Sequence, residues 1–227
     1  MERHFEVELE KLNKRIIKMS NLVYEQTHMA MTALIECNSA MAAEIIEHDN
    51  QVDELDVKID KLCQRIFALT QPVATDLRLI MASLKMNNDL ERLGDHAVGI
   101  AKRVDNLVDY RDIVVGLKID EIASMTDLLV KDIVNIVQSR NMVFVKDIFT
   151  SAFKIKETAQ LISSKIIDEM INKSDVVIVA TNLMLILTQI ERIAGYAMNV
   201  AESMVFLTEG RIIKHSKIFK EESEPTE

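Results

Sequence analysis

Apolar positions recur at helical spacing along almost the whole chain, and one stretch carries the pattern most clearly. Around Asn87 to Lys102, NNDLERLGDHAVGIAK, the residues Met86, Leu90, Leu93, Ala97, Ile100, Val104 and Leu107 alternate spacings of four and three. That pattern keeps one apolar stripe turned toward a core. Glu91 and Asp95 leave the stripe, and at about 100° per residue they share a second face with Asn88 and Leu84. This face has no cation before Lys102. Acids that only solubilise a helix are usually balanced at i+3 or i+4, so these two are candidates for a site.

The same periodicity predicts six long helices. The first covers 5–37 and ends at the polar pair Asn38 and Ser39, and the second covers about 41–68. Thr70, Gln71 and Pro72 then punctuate the chain, with Pro72 expected in the first turn of a third helix that runs to about Tyr110. At about 1.5 Å per residue that helix is on the order of 50 Å long. Arg111 to Ile119, with Gly116, reads as a hinge. Three more helices follow at about 120–138, 142–172 and 174–208, the last with Ser174 as N-cap and Gly210 as closing residue. Beyond His215 the period is lost and a disordered tail is expected.

The central stretch returns a hundred residues later. Gln189 to Glu202 reads QIERIAGYAMNVAE, and at a constant offset of 100 Glu91 meets Glu191, Arg92 meets Arg192, Ala97 meets Ala197 and Ala101 meets Ala201. A register without gaps implies tandem duplication of a unit that buries its own apolar faces. The expected fold is therefore all-α, two three-helix bundles over 1–112 and 113–215, with an acidic tail at 216–227.

In the second helix Asp49, Asp53, Asp56 and Asp60 are spaced four, three and four, which places their carboxylates within about 60° on one strip. Like charges so arranged repel, and a hard cation such as Mg²⁺, Ca²⁺, Mn²⁺ or iron would offset the repulsion. Glu91 and Asp95 can converge on the same strip, because two helices of one bundle face each other. A solvated acidic face is the plain alternative. The second repeat serves as an internal control: the offset carries the four aspartates onto Phe149, Phe153, Lys156 and Gln160, and Asp95 and His96 onto Gly195 and Tyr196. The apolar positions keep their register (Leu55 with Ile155, Leu62 with Ile162), so the helix is retained while its acids vanish. Any metal site is thus expected on one side only. Arg92 and Arg192 are expected to pair with nearby carboxylates, His96 to support the fold rather than ligate, and the thirteen Met to fill the core.

Five Gly, two Pro, no Trp and 4% aromatic residues in 227 leave little material for strands or turns, consistent with helices throughout. A net charge of -9 argues against sequence-independent nucleic-acid binding, which needs a basic footprint. Cys37 and Cys63 have no C-x-x-C spacing and no leading apolar run resembles a signal peptide, so a cytoplasmic location is expected. The longest uncharged run, Val176 to Ile190, spans fifteen residues, short of the roughly twenty a membrane span needs. Chemistry-bearing motifs are scarce: there is no Gly-rich phosphate loop and no G-x-S-x-G. Glu25 with His28 is the only Glu-x-x-His, where a di-iron carboxylate oxidase uses two.

The strings QPVATDLRLIMASLKMNNDLERLGDHAVGIAK (Gln71 to Lys102) and ERIAGYAMNVAE resemble the paired motifs of the PhoU family, and the resemblance covers residues 1 to about 215. It implies two three-helix bundles in pseudo-twofold relation, a cytoplasmic protein, often a homodimer, and no enzymatic activity. The implied role is negative regulation of phosphate uptake, through contacts with the ATPase of the phosphate ABC transporter and with a membrane sensor histidine kinase. The membrane is reached only through those partners. No cofactor is required, although some members hold multinuclear iron or zinc on acidic motifs. Carried over, that motif falls on Asp49 with Asp53 and on Glu91 with Asp95, while Asn88 stands where some relatives place another acid; Asp56 completes the metal set. Gly99 departs from the usual Asn of the first copy, which Asn199 keeps in the second. Outside that family, a carboxylate-bridged metal-storage or di-metal helical bundle is the alternative the acidic strip raises.

Overall fold

The first apolar stripe becomes α1 (Glu2–Glu36), which buries Leu12, Ile16, Met19, Val23, Ala30 and Leu34. The computed structural model describes residues 2–213, with side chains from Phe5 onward; the expected tail at 216–227 lies outside the described residues. Cys37 takes a left-handed φ of 52°, which lets the Asn38 N–H reach the Ala33 carbonyl at 2.9 Å and close the helix. Asn38 then caps the next helix, its Oδ1 accepting from the Met41 N–H at 3.1 Å.

The second expected helix is present but interrupted at one residue. It divides into α2 (Ser39–His48) and α3 (Asn50–Leu69) around Asp49, whose carbonyl accepts from both Val52 and Asp53. Neither Gly nor Pro marks this interruption in the sequence. Thr70 ends α3 in an extended conformation, its N–H and its hydroxyl both donating to the Ile66 carbonyl. Pro72 restricts Gln71 to extended backbone, so α4 (Ala74–Val104) begins two residues after the proline, which lies outside the first turn.

Beyond Val104 the α-helix gives way to a 3₁₀ turn over Asp105–Tyr110, earlier than periodicity suggested. The expected hinge is itself helical, α5 (Arg111–Gly116), and the chain reverses at Lys118, with φ 57°, rather than at Gly116. Next come α6 (Ile119–Ser139) and α7 (Val143–Asn172), then a 3₁₀ turn at Ser174–Val176 and α8 (Val177–Glu209). Ser174 lies inside that turn without a capping bond, so it is not the N-cap. Gly210 closes α8 with φ 69° and an N–H bonded to Phe206 O at 3.0 Å.

The described residues are all-helical apart from short connections, with six long helices and no strand. The most extensive helix contact joins α4 to α8, and α1 packs on α4 and α6. These four form the middle of the molecule. The α2–α3 arm flanks α1 and α4 on one side, and α7 flanks α6 and α8 on the other. Buried apolar residues from both halves form one continuous cluster through the α4–α8 seam. Ser174–Glu209 is also long and apolar enough to cross a membrane, more apolar overall than its fifteen-residue uncharged run suggested. Leu183, Ile186, Leu187, Ile190 and Ile193 are buried against neighbouring helices, as the inner helix of a bundle requires.

Candidate functional site

The acidic strip lies along the seam between α3 and α4. On α3 the stripe Val52, Leu55, Ile59, Leu62 and Ile66 faces the core, which leaves Asp49, Asp53, Asp56 and Asp60 on its flank. Asp49 is half-buried and accepts from Gln26 Nε2 of α1 at 2.9 Å. Asn87 of α4 is fully buried, and its Nδ2 donates to Asp56 Oδ1 at 2.7 Å, to the Asp56 carbonyl at 3.1 Å and to Asp60 Oδ1 at 3.2 Å. Asp53 and Asp95 are exposed, and so is Asn88. Glu91 is half-buried, with Arg92 at 3.7 Å.

The two helices do bring their acids within electrostatic reach. Burial pushes the Glu91 carboxyl up to about 7, reinforced by Asp95 and, more weakly, by Asp56 and Asp53, while Arg92 opposes the shift. Burial also raises Asp53, with Asp49 and Asp95 adding repulsion, and raises Asp56, with Asp60 and Asp53 adding theirs. The strip nevertheless stays open: among the described residues, no three His, Cys, Asp or Glu side chains are gathered as a ligand set. The physical reason is visible in the hydrogen bonds, since Gln26 holds Asp49 and Asn87 holds Asp56 while Asp53 and Asp95 extend into solvent. As a donor set these oxygens suit a hard cation. Cys63 does not add to them, because burial, with Asp60 behind it, pushes its thiol up to about 12.

His96 belongs to the α4–α8 seam. Its Nδ1 meets Gln189 Oε1, and its ring stacks on Tyr196 with centroids 5.4 Å apart and planes at 24°.

A family model described as the PhoU domain matches residues 16–104. The phosphate-specific transport system accessory protein PhoU homolog of Aquifex aeolicus is 33% identical over 217 residues, which span 96% of this chain and 98% of that protein. The chain belongs to the PhoU family. The Pseudomonas aeruginosa homolog is 29% identical over 94% of this chain and 88% of its own length. The fold agrees with the crystal structure of PhoU from Pseudomonas aeruginosa at a TM-score of 0.85, with 28% identity over 91% of this chain and all of the other. The Streptococcus pneumoniae phosphate transport system regulatory protein PhoU gives 0.81, with 26% identity over 92% and 99%.

Two side chains that organise this PhoU strip escaped the sequence reading. Gln26 and Asn87 hold the aspartates in place, whereas Asn88, the neighbour singled out, is exposed. Both had a signal. Gln26 continues the spacing of Met19, Val23 and Ala30, and Asn87 lies beside Met86 and Leu90 on the buried side of α4, so each is a polar residue in a buried stripe. Gly94 supports the same corner: a Cβ there would stand 2.7 Å from Gln26 Oε1, so its absence lets α1 approach α4. Of the two arginines, Arg92 meets a carboxylate as expected. Arg192 does not; among the described residues it has no ion pair.

Proposed function

We propose that this chain is a non-enzymatic regulator of phosphate uptake, an adaptor between the ATPase of the phosphate ABC transporter and a sensor histidine kinase. In this role it restrains the phosphate-starvation response. The observation that carries this reading is similarity from end to end, over 98% of the Aquifex aeolicus accessory protein, together with family membership. The adaptor acts in the cytoplasm as a homodimer, its units are 1–112 and 113–215, and it reaches the membrane through its partners. Deleting the gene in its host, with plasmid complementation, is the test: phosphate-starvation genes are expected to switch on in phosphate-rich medium. Expression that stays at the repressed level sinks the proposal. Sedimentation velocity on the purified chain reads the dimer separately.

A second element of the proposal concerns metal. Asp49, Asp53, Asp56, Glu91 and Asp95, with Asn88 beside them, form a one-sided site for iron or zinc. The clustered carboxylates on two helices, Glu91 among them at about 7, support this reading. When bound, the metal neutralises the repulsion along the strip; the residues of this chain supply the oxygens and the α3–α4 spacing. Elemental analysis of untagged protein purified without chelator, beside Asp53→Asn with Asp95→Asn, is expected to find metal in the parent and none in the variant. The same acids also support the storage-bundle reading, which predicts oxygen consumption on Fe²⁺ loading, and absence of turnover removes it.

A further inference from the structure

A cleft of about 580 Å³ opens between α7 and α8, lined by Lys156, Thr188, Glu191, Arg192, Tyr196 and Asn199. At the offset of 100 these residues stand where Asp56, Asn88, Glu91, Arg92, His96 and Gly99 stand in the first half. The cleft is therefore the twin of the acidic seam, built on the opposite flank of the molecule, and its charge is reversed. In the first half Asp53, Asp56, Glu91 and Asp95 face one cation, Arg92. In the second, Phe153 and Gly195 carry no charge, Lys156 replaces Asp56, and Glu191 is the one acid among the lining residues set against Lys156 and Arg192, with Asp89 behind Asn199 at the rim.

We propose that this cleft binds a small phosphate-bearing anion, held by Lys156 and Arg192. In a chain of net charge -9 a cleft with an excess of cation stands apart from its surroundings. Among the described residues neither Lys156 nor Arg192 has an ion pair, in contrast to Arg92, which meets Glu91. A guanidinium and an ammonium arriving from two helices are donor-only groups, and the Tyr196 hydroxyl adds a further donor, while the Thr188 hydroxyl already donates to the Met184 carbonyl at 3.0 Å and lines the wall. That is more than the two oxygens of a carboxylate take up and matches the three terminal oxygens of a phosphate monoester. Asn199 already donates to Asp89, so it shapes the rim. A Cβ on Gly195 would meet nothing within 4 Å, so the floor where the first half carries Asp95 is open. The volume falls in the range of small organic ligands and exceeds what one tetrahedral anion fills. Glu191 then serves as acceptor for a hydroxyl on the organic part, which selects a sugar phosphate or nucleoside monophosphate over the bare ion.

Isothermal titration of the full chain with AMP, ribose 5-phosphate and orthophosphate tests this assignment. Saturable binding of a monoester is expected. It should weaken roughly tenfold or more in Arg192→Gln and in Lys156→Gln, and vanish in Gly195→Asp, which restores an acid where space exists. Asp53→Asn, in the opposite half, should leave it unchanged, as should melting temperature in all four variants. Orthophosphate binding alone, with the same losses, upholds the anion site and removes the organic part. The assignment is overturned if none of the three probes binds at millimolar concentration, if the Gln variants bind like the parent, or if Asp53→Asn weakens binding. None of these outcomes depends on the gene-deletion phenotype, so failure here leaves the regulatory proposal standing.

Discussion

Asn199 of α8 donates through Nδ2 to Asp89 Oδ1 of α4 across 3.2 Å, tying the two halves together at their most extensive contact. The offset of 100 carries Asp89 onto Gln189 and Asn199 onto Gly99. Those two also meet: a Cβ at Gly99 would lie 3.2 Å from Gln189 Cδ, and Gln189 continues to His96. One contact thus occurs twice at the offset of 100, as a hydrogen bond on one side and as a Gln against a Gly on the other. Burial raises the Asp89 carboxyl, and the Asn199 amide is the first influence opposing the rise. Asn199→Ala is therefore expected to destabilise the fold by about 1–3 kcal/mol at neutral pH, the cost of removing a donor from a partly buried charge. Asp89→Asn removes the charge and keeps a hydrogen-bonding pair, and should cost under about 1 kcal/mol. Urea denaturation of both variants checks the contrast, and equal losses would mean that packing, not the hydrogen bond, matters at this point.

Asn87 is a stronger case, because its amide serves two aspartates at once. Truncation to Ala leaves the Asp56 and Asp60 carboxylates without that donor in a half-buried position, and the expected loss is about 2–3 kcal/mol. For a chain of this length that corresponds to roughly 4–12 °C in melting temperature. Differential scanning calorimetry reads it directly. A shift below about 1 °C would show that solvent replaces the amide without penalty.

How much of this was legible beforehand divides along physical lines. Helix number, the repeat and the core faces follow from periodicity, since Leu90, Leu93, Ala97 and Ile100 are buried where a 3.6-residue repeat puts them. Ends were less so: Ser174 and Gly116 are residue types that favour caps and turns, yet packing placed the real turn at Lys118 and passed over both. The acids on α3 and α4 were located by spacing, because angular position on a helix is fixed by sequence number. Which of them are held and which are free was not, since that depends on Gln26 and Asn87, contributed from other helices. Neither was the cleft at Lys156 and Arg192, which requires knowing that α7 and α8 leave space between them.

Gly94→Ala isolates the corner where α1 meets α4. The new methyl would sit 2.7 Å from Gln26 Oε1, the end of a flexible side chain, so Gln26 turns away and its bond to Asp49 is lost. Replacing Gly within a helix gains about 1 kcal/mol of propensity, which offsets the displacement, and net stability is expected to stay within about 1 kcal/mol of the parent. The readout is a double-mutant cycle with Gln26→Ala. A coupling of about 0.5 kcal/mol or more is expected; strict additivity would mean that Gln26 is not the group displaced.

Glu91 connects stability with the acidic strip through pH. Burial pushes its folded carboxyl up to about 7 from the ordinary glutamate value of 4.5, so between those values the folded state holds a proton that the unfolded chain has released. Stability from this group therefore rises as pH falls from 7 toward 4.5, and above 7 the full penalty of the buried charge applies. Glu91→Gln removes that penalty, and the metal-free variant is expected to melt a few degrees above the parent at pH 8, with the difference shrinking by pH 5. Protons and a cation compete for the same oxygens, so divalent-metal uptake by the parent should fall steeply below pH 7, and in the variant it should be weaker throughout. Melting curves at pH 5, 6.5 and 8, with and without chelator, measure both effects. A Glu91→Gln variant no more stable than the parent at pH 8 would place the burial penalty on Asp53 and Asp56 instead.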